Sequence, residues 1–273
     1  MCAAKIAEGE KRGYVIPIGG GEEKINEPVI LQRFVDLCGA EKANIVVIPT
    51  ASQLEDTGSC YVDVFKNLGV GKGSGKSAGK VVSLEINNRT DAQDETFVEQ
   101  IMQASGIFMT GGNQLRLSTI LGGTPVAQAI RRANAAGVHV AGTSAGAAII
   151  PEHMISGGPT GALPNEQGVT LAPGLGLINK IILDQHFSQR NRLGRLLSAV
   201  SYNPFAIGFG ICEDTAAFID PDGIIEIVGS GVATVIDPSE VEYSSMAEAR
   251  EGDSITLIGL KLHMLSEGSH FDL

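Results

Sequence analysis

Apolar positions in the first two-thirds of the chain alternate between two periods. Short runs rich in β-branched residues at 14–18, 45–49, 81–86, 106–110 and 138–141 predict strands. Between them, segments 28–37, 61–68, 91–103, 113–121 and 126–136 repeat apolar residues at helical spacing. Strand and helix in regular succession predict an α/β fold with a mostly parallel sheet and helices on both faces, because parallel neighbours need a crossover connection. After residue 205 the texture changes to short strands at 207–211, 216–220 and 224–228, the last two joined across the turn Asp220-Pro221-Asp222-Gly223. These are expected to add antiparallel strands at the sheet edge. No linker divides them from the rest, so one α/β domain over 1–273 is expected.

Charge and composition narrow the classes of function. A formal net charge of −11 disfavours a nucleic-acid partner, which needs a basic face, and suits a cationic or zwitterionic substrate. Hydrophobic residues make up 43% of the chain, yet no run approaches the roughly 18 apolar residues of a membrane span. Residues 1–13 are polar and mixed in charge, without the apolar core of a secretory leader, so a soluble cytoplasmic protein is expected. Cys2, Cys38, Cys60 and Cys212 are scattered, with no metal-ligand spacing, and suit reduced thiols. The run GVGKGSGKS at 69–77 imitates a phosphate-binding loop, but Val70 stands where its first glycine belongs. It also lies before a strand instead of after one, and reads as a flexible surface loop.

Residues 138–150 read VHVAGTSAGAAII: a strand, the turn Gly142-Thr143-Ser144-Ala145-Gly146, then a small-residue helix start. A G-x-S-x-G turn thrusts its serine out at the top of a sheet, which makes Ser144 the candidate nucleophile. Its hydroxyl needs a base, and the chain has five histidines. His139 lies inside the strand leading to the turn. His153 is expected about two and a half helical turns beyond Ser144, too far along the axis. His263 and His270 lie in or beyond the final strand. His186 follows the apolar run 178–183, at the kind of strand end where α/β sites form. Glu213 and Asp214 both follow the strand at 207–211 and both remain acidic candidates, with spacing slightly favouring Glu213; Asp184 could instead hold local backbone. The Ala145 amide and the loop Thr110-Gly111-Gly112-Asn113, with Gly112 as donor, could supply an oxyanion hole. Arg190, Arg192 and Arg195 cluster beside His186, the last two on one helix face, which suggests a bidentate carboxylate clamp.

GTSAGA at 142–147 together with DQHFSQRNRLGRLL at 184–197 resembles the cyanophycinases, serine-type hydrolases of the peptidase family that also includes aspartyl dipeptidase. PIGGGEEK at 17–24, FMTGGNQLRL at 108–117 and GICEDTAAFI at 210–219 extend the resemblance over nearly the whole chain. The resemblance implies a fold similar to class I glutamine amidotransferases, with a serine elbow in place of their cysteine. It implies Ser144 as nucleophile, His186 as general base and then acid, and Glu213 as the orienting carboxylate. A substrate pocket would match Asp184, Gln185, Arg190, Arg192 and Arg195, with Gln114 from the Gly-Gly loop. The order Ser, His, Glu along the chain differs from that of α/β-hydrolases.

The implied partner is cyanophycin, a polyaspartate backbone with arginine joined through each β-carboxyl, released as β-aspartyl-arginine dipeptides. This chemistry requires no metal or organic cofactor. Similar enzymes are dimers, so a homodimer is expected. Two other functions remain open: a dipeptidase of the same family, and a non-catalytic binding module on an amidotransferase-like fold.

Overall fold

The computed structural model describes residues 3–73 and 78–273; Cys2 and the Gly75-Lys76-Ser77 ending of the glycine-rich loop lie outside the described residues. The first half runs β1 (Val15–Ile18), α1 (Val29–Leu37), β2 (Asn44–Ile48), α2 (Thr57–Asn67), β3 (Lys80–Ser83), α3 (Glu95–Met102), β4 (Gly106–Met109), α4 (Gln114–Leu121), α5 (Pro125–Ala135), β5 (His139–Thr143) and α6 (Ala145–Ala148). Then follow β6 (His153–Gly157), β7 (Thr170–Pro173), β8 (Ile181–Gln185), α7 (Leu193–Tyr202), β9 (Ile207–Ile211), β10 (Thr215–Ile219) and β11 (Ile224–Gly229). The chain closes with β12 (Ala233–Asp237), β13 (Tyr243–Ser244), β14 (Leu257–Ile258), β15 (Lys261–Leu265) and β16 (His270–Asp272).

The described residues form one sheet of eight strands in the order β16-β11-β10-β1-β5-β4-β2-β3. Its β1-β5-β4-β2-β3 block is parallel, and the inner strands β1, β2 and β4 are nearly continuous apolar runs, as burial on both faces requires, while the edge strand β3 is only partly buried. The helices between them start where the sequence offers caps. Asn113 accepts the amides of Leu115 and Arg116 ahead of α4, and Thr124 accepts that of Ala127 ahead of α5, whose first residue is Pro125. A second sheet has the order β15-β12-β9-β8-β6-β7 and packs against the first through a shared apolar core.

Side-chain alternation along the strands sorts the core into layers. Ile16, Ile18, Val47 and Phe108 pack against α1 and α2 through Phe34, Tyr61 and Phe65. Val15, Val46, Ile107 and Val140 point the other way, into a larger cluster with α3 to α6 and with Ile181, Leu183, Phe209 and Val235 of the second sheet. Ile182 and Ile236 turn to that sheet's far face, where Leu196, Ala199 and Val200 of α7 cover them.

Two expectations about the architecture need correction. Only part of the tail joins the first sheet: β10 lies antiparallel to β1, with β11 and β16 beyond it, whereas the strand at 207–211 pairs in parallel with β8 in the second sheet. A short apolar run signals burial without specifying which neighbour it meets. The expected helix through His153 is also wrong. Helix α6 ends at Ala148, Pro151 cannot continue it, and His153 opens β6. A smaller difference occurs at 91–103, where Asp94 breaks the helix and caps α3 by accepting the Thr96 amide at 2.7 Å. No helix among the described residues is long and apolar enough to cross a membrane.

Phe108, near the end of β4, gives a test of the packing. Phe108 is fully buried, with ring centroids 4.8 Å from Tyr61 and 5.2 Å from Phe65. Phe108→Ala is expected to cost about 3–5 kcal/mol in urea unfolding, since the surrounding rings cannot collapse fully into the void. A loss within about 1 kcal/mol would contradict this aromatic core.

Candidate active site

Three strand ends converge on one point. Ser144 directly follows β5 of the first sheet, His186 directly follows β8 of the second, and Glu213 lies in the short turn from β9 of the second sheet to β10 of the first. Ser144 Oγ lies 2.7 Å from His186 Nε2, and His186 Nδ1 lies 2.7 Å from Glu213 Oε1. With a neutral imidazole, the carboxylate fixes the tautomer: Nδ1–H donates to Glu213, and Nε2 accepts from the serine hydroxyl. The arrangement can move a proton off Ser144 Oγ while the carboxylate steadies the imidazolium that results.

The backbone at the site is strained where the chemistry needs it. Ser144 has φ 52° and ψ −110°, His186 φ 48° and Asp214 φ 47°, all in the left-handed half of the map that residues with a Cβ avoid. The elbow closes tightly because Gly142 lacks a side chain: a Cβ there would run into the carbonyl of Gly146. Gly20, at φ 96°, comes equally close to the base, and a Cβ on it would overlap the His186 ring. The segment after β1 also bonds to each participant's chain. Ile18 O accepts the Ser144 amide at 3.0 Å, Gly19 O the His186 amide at 2.8 Å, and Gly20 O the Asp214 amide at 2.8 Å.

The second acidic candidate is otherwise engaged. Asp214 Oδ1 accepts the Glu23 amide and Oδ2 accepts the Ser230 hydroxyl, which leaves Glu213 as the carboxylate on the imidazole. Burial lowers the His186 pKa below its ordinary 6.5, opposed by the hydrogen bond to Glu213 and reinforced by Arg190 and Arg192. The remaining histidines lie elsewhere. His139 Nδ1 accepts the Tyr14 amide, His153 faces Phe205, His263 faces Phe271, and His270 sits near Glu226.

The other predicted residues separate into three groups. Ala145 is the first residue of α6, its amide adjoining Ser144. Gly111, more than Gly112, borders the serine: a Cβ built on Gly111 would lie 3.4 Å from Ser144 Cβ, while one on Gly112 would face the Ala51 carbonyl. Asp184, Gln185, Arg192 and Arg195 form one buried cluster. Arg195 grips Asp184 through Nε and Nη2, both at 2.5 Å, and Arg192 Nη1 meets Asp184 at 3.2 Å as well as the Gln185 carbonyl and side-chain oxygen. The bidentate partner of Arg195 is thus the chain's own carboxylate. Burial drops the Arg192 pKa to about 10, with the positive neighbours Arg195 and Arg190 adding to the drop and Asp184 opposing it. Arg192 Nε is buried without a hydrogen-bond partner. Arg190 alone of the three arginines is exposed. Gln114 donates from Nε2 to the carbonyls of Ile155 and Ser156 on β6, both at 3.3 Å.

Sequence reasoning missed Gln189, whose Oε1 accepts the Glu213 amide at 3.1 Å, and Glu22, whose carboxylate reaches Thr143 beside Ser144. Gln189 lies within the segment already singled out. A glutamate after three glycines carries no pattern that marks it as buried.

Comparison with known proteins supplies independent findings. The pattern of peptidase family S51 matches residues 15–227. A cyanophycinase from Nostoc sp. (strain PCC 7120 / SAG 25.82 / UTEX 2576) is 41% identical over 261 residues, spanning 95% of this chain and 85% of its own. One from Geminocystis herdmanii (strain PCC 6308) is 40% identical over 264 residues, spanning 96% of this chain and 94% of its own. The crystal structure of a peptidase from an acI-B1 Actinobacterium superposes with a TM-score of 0.70 over 97% of this chain and 98% of that one; at 22% identity it speaks to the fold alone.

Two outcomes follow from the geometry. If His186 acts as base in its neutral form, its depressed pKa should place the acidic limb of kcat/KM with its midpoint below pH 6.5. An acidic limb centred at or above 6.5 in a pH–rate profile would refute this placement of His186. Gly20→Ala should leave a folded protein whose kcat falls about 100-fold, the scale of an ångström-level displacement of a catalytic group. Thermal melting and steady-state kinetics on the same preparation would check both halves.

Proposed function

We propose that this chain, which belongs to peptidase family S51, hydrolyses cyanophycin by a serine mechanism with Ser144 as nucleophile. The observation that carries the mechanism is the unbroken relay from Ser144 Oγ through His186 to Glu213 Oε1. The cyanophycinases that match it over nearly its whole length carry the choice of substrate. In this reading His186 Nε2 takes the hydroxyl proton as Ser144 Oγ adds to a backbone aspartyl carbonyl. The Ala145 amide and the Gly111-Gly112 turn, in which Gly111 borders the serine more closely than Gly112, stabilise the developing oxyanion. The C–N bond then breaks, and the leaving amine takes its proton from the imidazolium. Water, deprotonated in turn by His186, attacks the acyl-enzyme, frees Ser144 and yields the new carboxyl group. Repetition along the polymer releases β-aspartyl-arginine dipeptides.

Specificity in this reading falls to the segment after β8. Each repeat of the polymer carries a free arginyl carboxylate, and the exposed Arg190 is the guanidinium available to meet it. Arg192, Arg195, Asp184 and Gln185 form a firm buried wall beside it in the same segment, while Gln114 is held by the β6 carbonyls. A cavity of about 530 Å³ lined by Phe187, Gln189, Arg192, Cys212 and Met264 supports room for a side chain at this wall. The same reading includes a single domain with the class I glutamine amidotransferase-like arrangement, supported by the β5-Ser144-α6 elbow, and a cytoplasmic homodimer.

Ser144→Ala should abolish hydrolysis while retaining fold and polymer binding, and mass spectrometry of the soluble products from intact cyanophycin should show β-aspartyl-arginine for the wild type alone. Untouched polymer with the wild type, or undiminished turnover in the variant, would overturn the proposal. Arg190→Ala should raise KM for the polymer roughly tenfold or more, the scale of a lost charge-assisted contact, with a smaller effect on kcat. Unchanged kinetics would remove Arg190 from the specificity role.

A further inference from the structure

One buried carboxylate close to the elbow belongs neither to the relay nor to the arginine cluster. Glu22 is 3% exposed, so it cannot touch substrate. Its Oε2 accepts the Thr143 hydroxyl at 2.5 Å and its Oε1 accepts the Tyr61 hydroxyl at 2.5 Å, with Lys24 Nζ 3.2 Å from Oε1. Burial, followed by the charge of Glu22 itself, pushes the Tyr61 pKa up, so that hydroxyl remains a donor. A carboxylate so enclosed is stable only because two hydroxyls and an ammonium compensate its lost hydration.

The connections of this group run toward catalysis. Thr143 immediately precedes Ser144, whose backbone must be held at φ 52° against its own preference. Tyr61 stands on α2 in the aromatic cluster with Phe65 and Phe108, which gives Glu22 a rigid backing. The Glu22 main chain continues the same loop that bonds the amides of Ser144, His186 and Asp214, and the next residue, Glu23, donates its amide to Asp214 Oδ1 at 2.9 Å. This stretch therefore grips the His186 and Asp214 segments through its backbone, and the elbow through both its backbone and the Glu22 side chain.

We propose that Glu22 is a positioning residue for the nucleophile, acting through the Thr143 hydroxyl and buttressed by Tyr61. The proposal rests on Ser144 being the nucleophile. It requires that loosening the Glu22–Thr143 contact slow the attack of Oγ without weakening substrate binding.

Labelling with a fluorophosphonate separates the two ideas, because the serine Oγ forms a bond to phosphorus as fluoride departs and the proton passes to His186. Failure of the wild type to label at Ser144, read by peptide mass spectrometry, would overturn the nucleophile assignment on which the proposal depends. With the wild type labelled, Thr143→Val, which keeps the shape and removes the hydroxyl, should slow labelling and lower kcat about tenfold or more, as expected for a misaligned reacting group. KM should stay within about twofold, the pattern of an interaction that matters at the transition state. Glu22→Ala should behave alike, and Glu22→Gln, which can still bond both hydroxyls, should recover part of the loss. A merely structural role would lower the melting temperature and leave the labelling rate and kcat unchanged below it. Wild-type labelling in folded Thr143→Val would overturn the proposal, and that variant decides the matter should Glu22→Ala fail to fold.

Discussion

The carbonyls of Ile18, Gly19 and Gly20 accept the amides of Ser144, His186 and Asp214 in turn, so three consecutive peptide units register three strand ends against one another. The site needs such a device because its groups come from different sheets. Within one sheet, the ladder of hydrogen bonds would fix the spacing of neighbouring strand ends. Across two sheets, side-chain packing sets only the mean separation, and the tolerance of a proton relay is a few tenths of an ångström. Strand β1 can supply the bridge because it pairs with β5 in parallel on one side and with β10 in antiparallel on the other. Its carboxyl end therefore lies between the segment that carries the serine and the one that carries the carboxylate.

That bridge also explains where strain is tolerated. Left-handed backbone at Ser144, His186 and Asp214 is held by hydrogen bonds that a relaxed conformation would break, so the surrounding structure over-determines each residue. The glycine beside the imidazole follows from the same closeness: main chain can approach a ring in this way only where no side chain intervenes. Beneath the elbow, the aromatic cluster of Phe34, Tyr61, Phe65 and Phe108 ties α1 and α2 to β4. The rigidity of the site is thus continuous with that of the core.

The parallel block of the first sheet and its helices were legible in the chain because each has a long, clean period. The fate of the segment at 207–211 was not, since its apolar residues suit either sheet equally. That Ser144 and His186 meet was foreseeable from local rules: small residues flank the elbow serine, and the histidine stands at a strand end. Between Glu213 and Asp214 the residues alone did not decide, because adjacent carboxylates at one strand end differ only in which way the backbone turns. Their separation depends on the left-handed kink at Asp214, a tertiary outcome. The arginine cluster was visible as charge, whereas its internal pairing with Asp184 was not; spacing along a helix does not reveal a carboxylate on a neighbouring strand.

In the proposed reading, the positive charge beside His186 links recognition to reactivity. Arg190 and Arg192 both lower the proton affinity of His186 in the free enzyme, and Arg190 is exposed to whatever approaches. An anionic group docking on Arg190 offsets part of that field just as the imidazole must accept the hydroxyl proton. The base would thereby strengthen on arrival of a properly charged substrate, and an uncharged analogue filling the same space would meet a weaker one. Discrimination of this kind would be expressed in the rate of bond making as well as in affinity, without any movement of the chain.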